Sequence, residues 1–122
     1  MCDGQGRPLI LLLSEGQMSD YKGAALMLDA LPTASVLLGD RGYDADWFRH
    51  ALTTRGITPC IPSKTNRKIA IPHDRALYRQ RHRVENMFGK IKERRRVHTC
   101  YDRCAHTFMS AICIAATVIF WL

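Results

Sequence analysis

Apolar residues fall into alternating blocks along this chain, with short runs giving way to helically spaced ones, a pattern that predicts strands and helices in turn. Cys2-Asp3-Gly4-Gln5-Gly6-Arg7-Pro8 reads as a turn, with Asp3 a turn residue because Asp before Gly is tight-turn chemistry, and Leu9 to Leu13 reads as the strand leaving it. Helices are predicted over Asp20 to Leu31 and Asp44 to Gly56, the second from the helical spacing of Trp47, Phe48, Ala51 and Leu52. Strands are predicted over Ser35 to Asp40 and Ile57 to Ile61, followed by a basic and flexible linker over 64–72. Two more helices follow, over 74–96 and 104–122. Strands alternating with helices argue a single α/β layered domain over 1–122, with parallel pairing around Asp40. No internal repeat or low-complexity tract interrupts it.

The helix predicted over 74–96 carries the most informative chemistry. Asp74, after Pro72, is placed to cap its start, and Gly89 is its weak interior position. Leu77, Val84, Phe88 and Ile91 form an apolar face, with Arg79, Arg83, Lys90 and Arg94 on the far side. Between them Tyr78, Arg81, Glu85 and Lys92 converge on one stripe, since at about 100° per residue their offsets span an arc of roughly 60°. A carboxylate flanked by two cations and a phenol suits a divalent metal held beside nucleic-acid phosphates: Glu85 takes the hard cation and the others the backbone. A solvated charged face is the plainer alternative.

A second motif, Leu37-Leu38-Gly39-Asp40-Arg41-Gly42-Tyr43-Asp44, ends an apolar run with an aspartate and a glycine turn. Asp40 is thereby expected at the carboxyl end of a strand, where ligands gather in open α/β sheets. Asp44 or Asp46 reads more simply as the N-cap of the next helix, leaving Asp40 as the exposed candidate.

Together, Asp40-Arg41-Gly42-Tyr43-Asp44 and the Tyr78, Arg81, Glu85, Lys92 set resemble the DDE transposases of bacterial insertion sequences, in the group with the Tyr-Arg-Glu-Lys signature, the insertion sequence four/five type. The likeness is to the C-terminal part of the catalytic domain. It takes in Gly56-Ile57 entering a strand through Pro62, the linker Ser63 to Lys68, and the apolar segment after Tyr101-Asp102. The resemblance implies a truncated ribonuclease-H-like fold lacking its first strand or strands, with a buried C-terminal helix across the sheet. It also implies three carboxylates holding two Mg²⁺ (or Mn²⁺) ions for DNA strand cleavage and transfer. Asp40 would be the second carboxylate and Glu85 the third, while Tyr78, Arg81 and Lys92 would contact transposon-end phosphates. The first carboxylate is expected on a strand upstream of Met1, so the chain is expected to be incomplete as a catalyst unless an upstream-frame polypeptide supplies that Asp. An active second-frame product, a remnant and a non-catalytic DNA-binding regulator all remain open.

Charge sharpens the choice of partner. Residues 64–103 hold 13 Lys and Arg against 4 Asp and Glu, whereas residues 1–63 hold 5 against 7. That concentration predicts a polyanion, here transposon-end and target DNA, with Lys64, Arg67, Lys68, Arg94, Arg95 and Arg96 neutralising phosphates without reading sequence. The five cysteines are odd in number and scattered, and no leader pattern opens the chain, so a reducing cytoplasm is the expected compartment. His98-x-Cys100-x3-Cys104-x-His106 lacks the usual separation of a Cys pair from a His pair and reads as a connection rather than a zinc site. The competing class is a tail-anchored membrane protein, with Cys104 to Leu122 as the span and Arg94, Arg95, Arg96 and Arg103 as its basic flank. His106, Thr107, Ser110 and Thr117 weaken that reading, and no membrane is expected.

Overall fold

A computed structural model describes residues 1–12, 19–93 and 105–122 of the chain. They gather into two compact units: one holds the described residues of 19–81, the other residues 1–12 with 82–93 and 105–122.

The first unit is a small βαβ arrangement. Helix α1 spans Asp20–Leu28 and strand β1 Val36–Leu38; helix α2, Asp46–Thr54, then crosses over to strand β2, Thr58–Cys60. The two strands pair in parallel, Val36 opposite Thr58 and Leu38 opposite Cys60, as expected around Asp40. A parallel pair needs such a crossover, because a tight turn can join only antiparallel neighbours. Both strands are shorter than predicted, and Pro59 and Pro62 explain it for β2, since neither has an N–H to extend a ladder. Helix α1 likewise stops three residues short of Leu31, where Pro32 disfavours helical backbone in the residue before it.

Helix α2 is set by its sequence at both the face and the end. Phe48 and Leu52, one turn apart, are buried with Ala24, Ile57 and Ile61, and Leu28, Leu31, Leu37, Tyr43 and Ala45 pack around them. Gly56 terminates the helix at φ +74°. Its N–H donates to Thr53 O at 2.9 Å and that of Ile57 to Leu52 O at 2.9 Å, the paired bonds of a Schellman motif. Ile57 thus enters β2 already packed on Leu52.

The predicted helix over 74–96 is not one helix. Helix α3 runs Arg75–Tyr78, a 3₁₀ segment covers Arg79–Arg81, and helix α4 runs His82–Lys92. Arg75, Arg79 and Arg83 stand at i, i+4 spacing, and a like-charge row weakens regular α-helix through the break. Asp74 does cap the start, its carboxylate accepting the Leu77 N–H at 3.0 Å. Tyr78 and Arg81 therefore belong to the first unit, Glu85 and Lys92 to the second.

In the second unit the Asp3 turn forms as expected: Asp3 accepts from the Gln5 and Arg7 N–H groups and pairs with the Arg7 Nε at 2.8 Å. No strand follows over 9–12. The antiparallel pairing lies inside the turn, at Cys2 and Pro8, and Leu9 donates back to Met1 O, so this stretch closes on the first residues instead of extending a sheet. Helix α5, Ala105–Phe120, packs on α4 around buried Met87, Ile91, Ala115 and Ala116. It is not buried all round: Ile114 is 66% exposed and Val118 44%, off the stripe that packs on α4. Phe88, expected on the core face of α4, is also exposed, and Met87 takes the buried position. Among the described residues no helix is long and apolar enough to cross a membrane.

Candidate active site

Asp40 follows β1 and Gly39 at the carboxyl edge of the sheet, where it begins a 3₁₀ turn over Arg41–Tyr43. Its Oδ1 accepts the Gly42 N–H at 2.9 Å, which fixes the carboxylate at the head of the turn. Its Oδ2 lies 3.3 Å from Arg81 Nη2. The side chain is 42% exposed, so this charge is oriented by the backbone, faced by one cation and open to solvent. The expectation of an exposed carboxylate at a strand end is met.

Two neighbours complete the surroundings. The Asp20 carboxylate, from the first residue of α1, lies against Gly42, where a Cβ would collide with it and would stand 3.0 Å from Asp40 Oδ1. The Asp20 side chain thus occupies the space that a side chain at position 42 would take. The half-buried Tyr43 packs on Phe48 with ring centroids 6.2 Å apart. Burial pushes its phenol above the ordinary tyrosine value, the Asp20 and Asp40 charges push it further, and Arg81 opposes them. Sequence reasoning took Asp20 only as a helix start; its approach to Asp40 depends on how α1 packs against the turn.

A second constellation surrounds Asp44, and here the N-cap expectation fails. The N-cap position of α2 is Ala45, with no side-chain cap bond, and Asp46 is the first helical residue. Asp44 instead has no side-chain exposure and accepts from Arg49 Nε at 2.8 Å, Arg67 Nη2 at 2.8 Å, Arg67 Nε at 3.0 Å and the Lys64 N–H at 2.7 Å. Arg49 also donates to Ile61 O at 2.7 Å, and Arg67 Nη1 pairs with Asp46 at 2.7 Å. Burial alone would raise the Asp44 carboxyl, but the bonds from Arg67, Lys64 and Arg49 outweigh it and hold the group well below the carboxylate range. Arg67, bonded to Asp44 and Asp46, is held above its ordinary value. The available signal was Arg49, a cation on the apolar face of α2 between Phe48 and Leu52, which requires an internal counter-charge.

The basic linker is correspondingly tied rather than loose. Beyond the Lys64 bond to Asp44, Ser63 Oγ accepts from the Ile71 N–H at 2.7 Å and donates to Ile71 O at 3.0 Å. A groove of about 330 Å³ lies beside it, lined by Tyr21, Asp44, Ala45, Asp46, Lys64, Asn66 and Arg67. The Lys64 ammonium sits 4.2 Å from the Tyr21 ring centroid.

The other predicted site residues are spread over both units. Tyr78 packs edge-on against His73 at 5.3 Å, and Lys68 is exposed. Glu85 and Lys92 occupy exposed positions near the two ends of α4. Arg94, Arg95, Arg96 and the His98 to His106 cluster lie outside the described residues. Among the described residues no three His, Cys, Asp or Glu side chains converge as a metal site. The donors at hand are hard carboxylate oxygens, the type suited to Mg²⁺ or Mn²⁺.

Comparison with known proteins supplies the family. The chain is 29% identical over 121 residues to a Brucella ovis protein assigned as a transposase for insertion sequence element IS6501, covering 98% of this chain and 92% of that one. It is 27% identical over 130 residues to a Burkholderia cepacia protein assigned as a transposase for insertion sequence element IS402, covering 98% of this chain but 59% of the relative's length. No solved structure matches. A family model described as a transposase DDE domain matches residues 37–122, a stretch that starts on β1 and includes both Asp40 and Glu85. From the strand that presents Asp40 to its last residue, the chain belongs to the transposase DDE domain family.

Proposed function

We propose that this transposase segment takes part in metal-dependent cleavage and transfer of transposon-end DNA, with Asp40 and Glu85 as metal ligands, within a ribonuclease-H-like domain. The observation that carries the reading is Asp40 itself, a carboxylate at the carboxyl edge of a parallel strand, aimed by the Gly42 N–H and open to solvent. In a site completed by a third carboxylate, two Mg²⁺ or Mn²⁺ ions would serve, one to activate the attacking oxygen and one to stabilise the leaving oxygen. The chain's own groups do the positioning. The Gly42 N–H holds Asp40 in a single orientation, and Arg81 balances its charge beside the place where phosphate arrives. Tyr78, Arg81 and Lys92 contact the backbone of the transposon end, and the basic segments 64–68 and 94–96 neutralise flanking phosphates. The reaction belongs in the cytoplasm, where the DNA partners are.

The test is transposition of the whole element, which retains any upstream-frame polypeptide. Asp40→Asn and Glu85→Gln should each lower the transposition frequency by more than the roughly 10–100-fold typical of losing an outer-shell partner of a metal site. Binding of transposon-end duplex should persist in both variants. Unchanged transposition in the Asp40→Asn element would exclude the metal role and leave a DNA-binding regulator as the better reading.

A further inference from the structure

The geometry points to Asp44 as a positioning residue that clamps the basic segment 64–68 to the Asp40 turn, so that Arg67 is an internal strut and Lys64 and Lys68 are the phosphate-facing cations; this rests on the DNA-binding reading above. All three guanidinium nitrogens of Arg67 are engaged by carboxylates: Nε and Nη2 by Asp44, Nη1 by Asp46. A phosphate could recruit Arg67 only by stripping a bidentate partner from an Asp44 that has no side-chain exposure. That exchange would leave the buried Asp44 carboxylate with only Arg49 and the Lys64 N–H as partners. Lys64 differs: its backbone N–H is held by Asp44 while its ammonium rests over the Tyr21 ring, a contact that a phosphate can displace. The clamp reaches the catalytic side as well. Asp44 closes the 3₁₀ turn that Asp40 opens, its backbone N–H donating to Arg41 O at 3.2 Å, while its carboxylate holds the Lys64 N–H, so one residue joins the turn bearing Asp40 to the segment bearing Lys64. Cations of the same linker thereby acquire different roles from their partners, although the sequence presents them alike.

The experiment is a salt titration of binding to transposon-end duplex by the full chain, paired with native-state hydrogen exchange at the Lys64 amide. Lys64→Gln should flatten the log–log salt dependence by about 0.9, the increment for one phosphate contact. Arg67→Gln should weaken binding several-fold with the slope unchanged and should speed Lys64 amide exchange, because the clamp has loosened while no phosphate contact is lost. Asp44→Asn should act in the same direction; should it fail to fold, Arg67→Gln alone decides. Flattening by Arg67→Gln as large as that by Lys64→Gln would overturn the strut assignment, as would a Lys64 amide that exchanges in the unmodified chain at the rate of an exposed peptide. Salt-independent binding by the unmodified chain would instead overturn the DNA reading and leave the exchange result to judge the clamp.

Discussion

Removing the Asp44 charge leaves Arg49 buried opposite Ile61 O without its carboxylate, so Asp44→Asn should lower stability at neutral pH by about 3–5 kcal/mol, the usual cost of breaking a buried ion pair from one side. The sign with pH follows from the depressed folded-state carboxyl. An unfolded Asp titrates near about 3.9, so the contribution is complete well above that value and is lost as pH falls through it toward the lower folded value. Urea midpoints of the unmodified chain should hold from pH 7 to about 5 and drop below about 4. The Asn variant should start lower and respond less to acid; parallel curves for the two proteins would count against the clamp. At Gly42 a methyl group would displace the exposed Asp20 carboxylate, a flexible neighbour, so Gly42→Ala should change stability little but lower the Tyr43 phenol by removing one of the charges that raise it. Ultraviolet titration against a Tyr43→Phe control would show it, and an unmoved phenol would mean that Asp20 stays in place. Asp40 was legible because an apolar run stops at it, and Asp74 because Pro72 and a helical pattern flank it. Asp44 was not, since its burial depends on Arg67, 23 residues away, and no local pattern announces that partner.

At the scale of elements, the sequence carried most where backbone chemistry and side-chain period agree. Helix α2 has both, with Phe48 and Leu52 on its core face and Gly56 at its end. A Cβ at position 56 meets nothing within 4 Å, so Gly56→Ala isolates the cost of the left-handed conformation. It should destabilise the first unit by about 1–2 kcal/mol, seen as a lower urea midpoint with an unchanged slope. A neutral result would mean that Ile57 enters β2 without the Schellman turn. The helix over 74–96 was misread in the opposite circumstance. Its apolar period runs through the Arg79–Arg81 segment, whereas the break is set by crowded cations and by Arg81 reaching Asp40, which lies in another element. Helix α5 was legible as a helix and not in its burial, because an apolar composition on all faces does not specify which stripe finds a partner.

For the molecule as a whole, the net charge of +7 arises from a single stretch, and that stretch straddles both units. Cores as small as that formed by Met87, Ile91, Ala115 and Ala116 do not explain such a density of cations, which costs stability through self-repulsion. A polyanion that releases counterions on contact does explain it. If Arg94, Arg95 and Arg96 each neutralise one phosphate, replacing all three with Gln should reduce the log–log salt slope by about 2.7, three times the single-contact increment. Glu85→Gln, which removes an anion from the same basic stretch, should leave the slope as it is and leave affinity unchanged or raise it. Titrating duplex binding from low to moderate salt measures both variants side by side. A triple variant that keeps the full slope would assign the phosphate contacts elsewhere, to Lys64, Lys68 and Lys92, whereas a Glu85→Gln variant that loses affinity without metal would show that this carboxylate orders the DNA-binding surface itself rather than only holding an ion.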